Sequence, residues 1–342
     1  MCSSDLVTVR SGAYTAASRG TILRITASGT PGNLIVFRSE TPYGAVLDGQ
    51  NNTAAVGVAI RGSYVRIEGF EIKGMSHNAL DIYGAAGTIL RGIEVAQNHI
   101  HDVGRLCDAS AYGLGMSSLS AFSLDSASVL IERNKIHDIG RFAPGEQGCS
   151  PPDNQYQNTD HGIFIDHGVT STIIRNNQFY TIQRGWAIHR YESGGGGPGA
   201  ADSIFIVNNT FADPNPYREG QIFVGGLMTH STIANNIFYL PNTAAIRFTG
   251  VFAHSLAVNN NVMTGLDTLY YPDHATGVTY SGNKPYSDSL ALFTNPGARD
   301  YTLKAGTNPA VDAGVTLSYV LDDFLGVSRP RGAAYDAGAY ER

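Results

Sequence analysis

Basic residues are scarce in this chain: lysine and arginine number 23 against 29 aspartates and glutamates, and charged residues make up only 15%. The net charge of −6 leaves no basic face of the kind nucleic acids require, so no nucleic-acid partner is expected. No apolar run approaches the length that spans a bilayer, and no membrane partner is expected either. Ala/Leu/Glu-rich amphipathic segments of useful length are missing, which argues against a helical repeat. Hydrophobic residues at 42% place the chain among ordered globular proteins. Glycine, at 40 residues, punctuates short Val/Ile/Phe runs together with Asn and Asp, a β-rich composition.

Cysteine is also sparse, with three in all. Residues 1–6 (Met-Cys-Ser-Ser-Asp-Leu) back-translate as GTG-TGC-TCT-TCC-GAT-CT, the end of a common sequencing adapter read from a GTG start. Cys2 is therefore expected to be foreign, and the native N-terminus with any export signal to lie upstream, as for a secreted or periplasmic protein. Cys107 and Cys149 each follow a near-repeat, Asn-His-Ile-His-Asp-Val-Gly-Arg at 98–105 and Asn-Lys-Ile-His-Asp-Ile-Gly-Arg at 134–141. Equivalent loops on stacked repeats would lie side by side, so a disulfide of an oxidising compartment and two unrelated thiols both stay open.

One short pattern recurs: aliphatic, x, x, Asn, x, then Ile, Phe or Val. It appears as Ile131-Glu-Arg-Asn134-Lys-Ile136, Ile174-Arg-Asn-Asn177-Gln-Phe179, Ile206-Val-Asn-Asn209-Thr-Phe211, Ile233-Ala-Asn-Asn236-Ile-Phe238 and Ala257-Val-Asn-Asn260-Asn-Val262. Looser copies are Val95-Ala-Gln-Asn98-His-Ile100 and Ile67-Glu-Gly-Phe70-Glu-Ile72. The final apolar residues follow one another at intervals of 28, 36, 43, 32, 27 and 24, as in a solenoid with loops of varied length. Alternation such as Leu34, Val36 and Ile163, Ile165 is strand spacing. An Asn at a fixed place suits a tight bend, because it tolerates left-handed backbone, and stacked copies can ladder their amides. The expected fold is all-β, a right-handed parallel β-helix. Its bounds are read as a truncated N-terminal part over 1–20, the solenoid over 21–285 and an irregular C-terminal capping segment over 286–342.

The Asn-x-(Ile/Phe) rungs resemble those of right-handed β-helix proteins of the pectate-lyase-like superfamily. Val65-Arg-Ile-Glu-Gly-Phe-Glu-Ile-Lys-Gly74 resembles the early rung of its secreted bacterial members. The tail resembles them too, in Asp300-Tyr-Thr-Leu-Lys-Ala-Gly-Thr-Asn-Pro-Ala-Val-Asp-Ala-Gly314, Gly326-Val-Ser-Arg-Pro-Arg-Gly332 and Tyr335-Asp-Ala-Gly-Ala-Tyr-Glu341. The resemblance spans almost the whole chain and implies a fold rather than a reaction, since the superfamily includes lyases, hydrolases, epimerases and adhesins. A solenoid exposes an open sheet edge at its last rung, and the Gly/Pro-rich segment 295–342 is expected to cover it.

The strands that follow the Asn-containing ones can be aligned on their apolar alternation. They read Leu80-Asp-Ile-Tyr83, Ile163-Phe-Ile-Asp-His167, Trp186-Ala-Ile-His-Arg-Tyr191, Ile222-Phe-Val-Gly225 and Ile246-Arg-Phe-Thr249. With first and third residues inward, one outward column is Asp81, Phe164, Ala187, Phe223, Arg247. The next is Tyr83, Asp166, His189, Gly225, Thr249. At about 4.8 Å between rungs, Asp166, His167, His189, Arg190 and Tyr191 gather together, with Asp160 and His161 at the start of one strand. Gly225 is read as open space for a sugar, 193–199 as a mobile Gly-rich loop, and 141–160 as the opposite wall. A lone strand histidine is more often structural, but this concentration on two rungs points to chemistry. By contrast, His99, His101 and His137 fall in the repeated Asn-x-Ile-His-Asp turn and read as structural, Trp186 reads as core, and Arg247 as a subsite residue or merely surface.

The leading expectation is a polysaccharide lyase cleaving a uronate-containing acidic polysaccharide by β-elimination. It needs a cation on the carboxylate, a base for the proton alpha to it, and an acid for the leaving oxygen. Arg190 is assigned the first role, His189 or His167 the second, and Tyr191 or Tyr83 the third, with Asp166 orienting a histidine. Asp81, Tyr83, His161 and Arg247 are the substrate-binding candidates. Alternatives are a glycoside hydrolase using Asp81 with Asp166 or Asp166 with Glu192, a uronate epimerase, and a non-catalytic glycan-binding solenoid. His161, Asp166, His167 and His189 match no transition-metal spacing motif. Those four could in principle bind a transition metal all the same, and Asp81, Asp160 and Asp166 could contribute oxygens to Ca2+. The protein is expected to act as a monomer.

Overall fold

A computed structural model describes residues 5–84, 88–104, 122–140, 160–166, 168–182, 184–191, 199–249, 252–265, 270–271, 275–287 and 291–342. They form a right-handed parallel β-helix. Each coil places short strands on three faces. One coil supplies Ile163–Ile165, Thr170–Arg175 and Gln178–Ile182. The next supplies their parallel partners Ile188–Tyr191, Ala201–Val207 and Thr210–Phe211. Phe122–Glu132 is long enough to run through both the first and the second face, which join into one 19-stranded sheet; the third face is a 10-stranded sheet. Among the described residues no helix is long and apolar enough to cross a membrane.

The alternation that predicts strands also fills the lumen. Ile67, Val95, Ile131, Ile174, Ile206, Ile233 and Val258 stand in one register column, all buried. Each such side chain stabilises by roughly 1.5–3 kcal/mol relative to exposure. On the third face Phe179, Phe211 and Phe238 stack with ring centroids 5.0 Å apart at both steps.

The corner between second and third faces carries the asparagines. Asn98, Asn134, Asn177, Asn209, Asn236, Asn261 and Asn283 form an internal ladder. Each side-chain carbonyl after the first accepts from both the backbone N–H and the amide of the asparagine one rung earlier, at 2.9–3.1 Å. Asn261, not Asn260, holds the sixth place, which corrects the sequence register there by one residue. The left-handed backbone falls on the residue before, with Gln97, Arg133, Asn176, Asn208, Asn235 and Asn260 at φ of 52–56°. Two tasks that the sequence pattern assigns to one Asn are thus divided between neighbours.

The tail explains why so many of these pairs are Asn-Asn. The outward amides of Asn176, Asn208, Asn235 and Asn260 donate to the backbone carbonyls of Asp322, Asp336, Val315 and Ala313 at 2.8–3.0 Å. Leu292, Phe293, Tyr301, Leu303, Ala337 and Tyr340 pack there against Tyr180, Ala212, Ile237 and Val262. Inside the tail Arg329 pairs with Glu341 at 2.6 Å, both side chains fully buried. The segment therefore lies along the flank over successive coils, with Tyr286 of the last third-face strand packed against the same cluster.

Candidate active site

The first face carries the sequence-selected residues on its outer side, and its backbone pairing fixes which are neighbours. Ile188 pairs with Ile163 on one side and Ile222 on the other, so His189 stands beside Phe164, Phe223 and, two rungs on, Arg247. Tyr191 pairs with Gly225, and continuing the register by one residue sets it beside Asp166. The expected columns placed His189 beside Asp166 and Gly225, a slip of two residues. They also omitted a rung: Leu124 pairs with both Ile82 and Ile165, so Phe122–Glu132 lies between Tyr83 and Asp166. Asp125 thereby takes a position between Tyr83 and Asp166, unnoticed because its strand carries no Asn-x-(Ile/Phe) signature on that side.

Around His189 the side chains are mostly aromatic. Its ring centroid lies 3.9 Å from that of His161, 4.9 Å from Trp186, 4.8 Å from Phe223 and 5.5 Å from Tyr191, the last nearly parallel at 14°. His189 is only 7% exposed, and its Nδ1 is buried with no hydrogen-bond partner among the described residues. Burial, then His161 and Arg190, push its pKa well below the ordinary value, so the imidazole is neutral at pH 7. His161, fully enclosed, is lowered to about 3 by burial. Its Nδ1 accepts from the Trp186 backbone N–H at 3.2 Å, which assigns its proton to Nε2. Gly185 permits that corner, since a Cβ there would come within 2.5 Å of His161 Nδ1. Trp186 is buried as expected, but within this outer aromatic group; its Nε1 donates to Glu219 O at 2.8 Å.

Several assignments change. Arg190 shares the inward column of Ile165 and Val224, is 1% exposed, and donates to the carbonyls of Gly199 and Leu227 at 3.2 and 3.1 Å. It ties loops together and does not face a substrate, so the role on the carboxylate is withdrawn from it. Gly225 is not open space: a Cβ there would lie 2.2 Å from Phe223 Cε1 and 2.8 Å from Tyr191 Cδ2, so the glycine makes room for those rings. Tyr83 stands three rungs from Tyr191 and cannot be the acid beside His189. Asp81 is bound to Arg61 at 2.6 Å, and Arg247 is ion-paired with Glu219. Asp160 is buried, with its backbone N–H bonded to Arg184 O. Among the described residues no three His, Cys, Asp or Glu side chains are grouped to hold a metal ion. His167, Glu192, Cys107, Cys149, most of the Gly-rich loop and the stretch 141–159 lie outside the described residues. On the third face the second histidine group forms the repeated turn: His101 and His137 bond through Nδ1 to Asp102 and Asp138 at 2.7 and 2.6 Å.

The solved structures to which the chain is similar share its fold at low identity. One is an alginate lyase from Paenibacillus sp. str. FPU-7, at 14% identity and TM-score 0.58, covering 84% of this chain and 92% of that one. Another is pectate lyase Pel9A, at 12% and 0.55, covering 98% and 88%. A third is the Dettilon tailspike protein, at 14% and 0.50, covering 83% and 60%. No protein-family model and no curated protein matches the chain.

Proposed function

From a pectate-lyase-like parallel β-helix as premise, we propose that the chain is a polysaccharide-acting enzyme that cleaves a uronate-containing polymer by β-elimination. The observation that carries this reading is a neutral, desolvated His189 with an unsatisfied ring nitrogen, set under the 44% exposed Tyr191 on the outer face. A histidine kept neutral at pH 7 is a base by default, and an unpartnered buried polar atom is a place for a proton or a ligand donor. In this scheme His189 removes the proton alpha to the uronate carboxylate while the bond to the leaving oxygen breaks. Tyr191 gives that oxygen its proton. Arg247, whose guanidinium lies 6.0 Å from the centroid of the Phe223 ring beside His189, replaces Arg190 as the group facing the carboxylate. Asp166, next to Tyr191, and His161, behind His189, position them. Such polymers lie outside cells, so export belongs to the same proposal.

A hydrolase is the second reading, favoured by one placement. Asp125 and Asp166 follow the paired Leu124 and Ile165 on neighbouring rungs, about 4.8 Å apart along the backbone, and a retaining glycosidase works with two nearby carboxylates. Incubation with pectate, alginate, glucuronan and glycosaminoglycans separates the two. Rising ultraviolet absorbance with one polymer, lost about 10²–10⁴-fold in His189→Ala, is the expected result. New reducing ends without absorbance, lost in Asp125→Asn and Asp166→Asn, would replace elimination by hydrolysis.

A further inference from the structure

Tyr83 is built into the same face with unusual rigidity. One side of its ring is covered by the Arg61 guanidinium, 3.7 Å from the centroid, while the residue is 46% exposed. Arg61 is fixed in turn, donating to Asp81 Oδ2 at 2.6 Å and to the carbonyls of Asp81 and Ile60 at 2.9 and 3.0 Å. The ring therefore presents one open side in a set orientation. Tyr191 is built alike, with His189 behind it and solvent before it. The two tyrosines share a register column three rungs apart, about 14 Å.

A pyranose ring offers an apolar C–H side that packs on an aromatic ring, and an extended sugar chain rises by about one strand spacing per unit. We propose that Tyr83, backed by Arg61 and Asp81, is a sugar-stacking subsite for a polysaccharide lying along the solenoid axis, three rungs from the bond handled beside Tyr191. The proposal rests on the face being carbohydrate-binding and not on the reaction performed there. It makes Tyr83 a determinant of chain length: short oligomers seated at Tyr191 do not reach it, longer ones do.

Affinity electrophoresis tests it, in gels containing pectate, alginate, glucuronan or a neutral β-glucan, with His189→Ala as the parent protein so that nothing is digested. Tyr83→Ala is expected to weaken retardation by the best-bound polymer about fivefold, the size of one aromatic contact. Tyr83→Phe keeps it, and Arg61→Ala, which frees the ring, loses part of it. In active protein the advantage of an octasaccharide over a trisaccharide in kcat/KM falls by the same factor on Tyr83→Ala. Equal retardation of Tyr83→Ala and its parent, or a parent retarded by no polymer, overturns the subsite. Retardation that depends on Tyr83 in a protein that turns over none of the polymers upholds the subsite and overturns the reaction instead.

Discussion

His161 is a residue whose charge the fold refuses. Its pKa drops from an ordinary 6.5 to about 3 on burial. Between those values the unfolded chain takes up a proton that the folded chain does not. Stability is therefore undiminished above pH 6.5 and falls as pH drops, by up to about 1.4 kcal/mol per pH unit from this group. Urea unfolding between pH 7 and pH 4 should display that fall, and His161→Gln should make it shallower; identical slopes would refute the assignment. His99, also lowered to about 3, adds to the same trend. At this scale the sequence was only partly legible. Alternation carries Arg190 inward with Ile188, yet an arginine among histidines suggests a surface site, and nothing local announces the loop carbonyls of Gly199 and Leu227 that receive it. The slip of His189 has a sharper cause. A strand pattern of period two looks the same after a shift of two residues, so apolar alternation tells inside from outside but not which outward residue meets which.

Among elements, the asparagine corner is where a single change costs most. Asn177 accepts from the backbone and side chain of Asn134, donates to Ile131 O at 2.9 Å, and donates to Asn209. Asn177→Ala leaves several of these buried groups unsatisfied, at about 1–3 kcal/mol each, so a loss of at least 3 kcal/mol is expected in the denaturation midpoint. Asn283→Ala, at the last described rung of the ladder, should cost clearly less, and equal losses would contradict a ladder that shares its load. This element was legible because it repeats: a fixed Asn before an apolar residue survives loops of any length. Its one misreading, Asn260 for Asn261, comes from the run Asn259-Asn260-Asn261, where three identical residues leave the register open.

For the whole molecule, the tail decides whether the coils act together. Arg329→Ala would leave Glu341 buried without its partner, a loss of about 3–5 kcal/mol. Proteolysis should then release the tail before the coils unfold, and the double variant Arg329→Met, Glu341→Gln should recover much of the loss. A variant whose tail stays protected would disprove the clasp. Composition suggests a covering segment at the C-terminus, but not which surface it covers, because its docking points are the outward amides of residues that look like bare repeat turns.

Those docking points have a further consequence. The tail meets Asn260 at Ala313, Asn235 at Val315 and Asn176 at Asp322, then doubles back to Asn208 at Asp336, so it acts as a clamp across four consecutive corners. Adding or deleting one coil beneath it would shift the corners by a rung and leave the clamp out of step. Among the described residues no corner before Asn134 donates such an amide bond to the tail. The turns that carry His189, Tyr191 and Arg247 all lie within the stretch of coils that this one segment ties together.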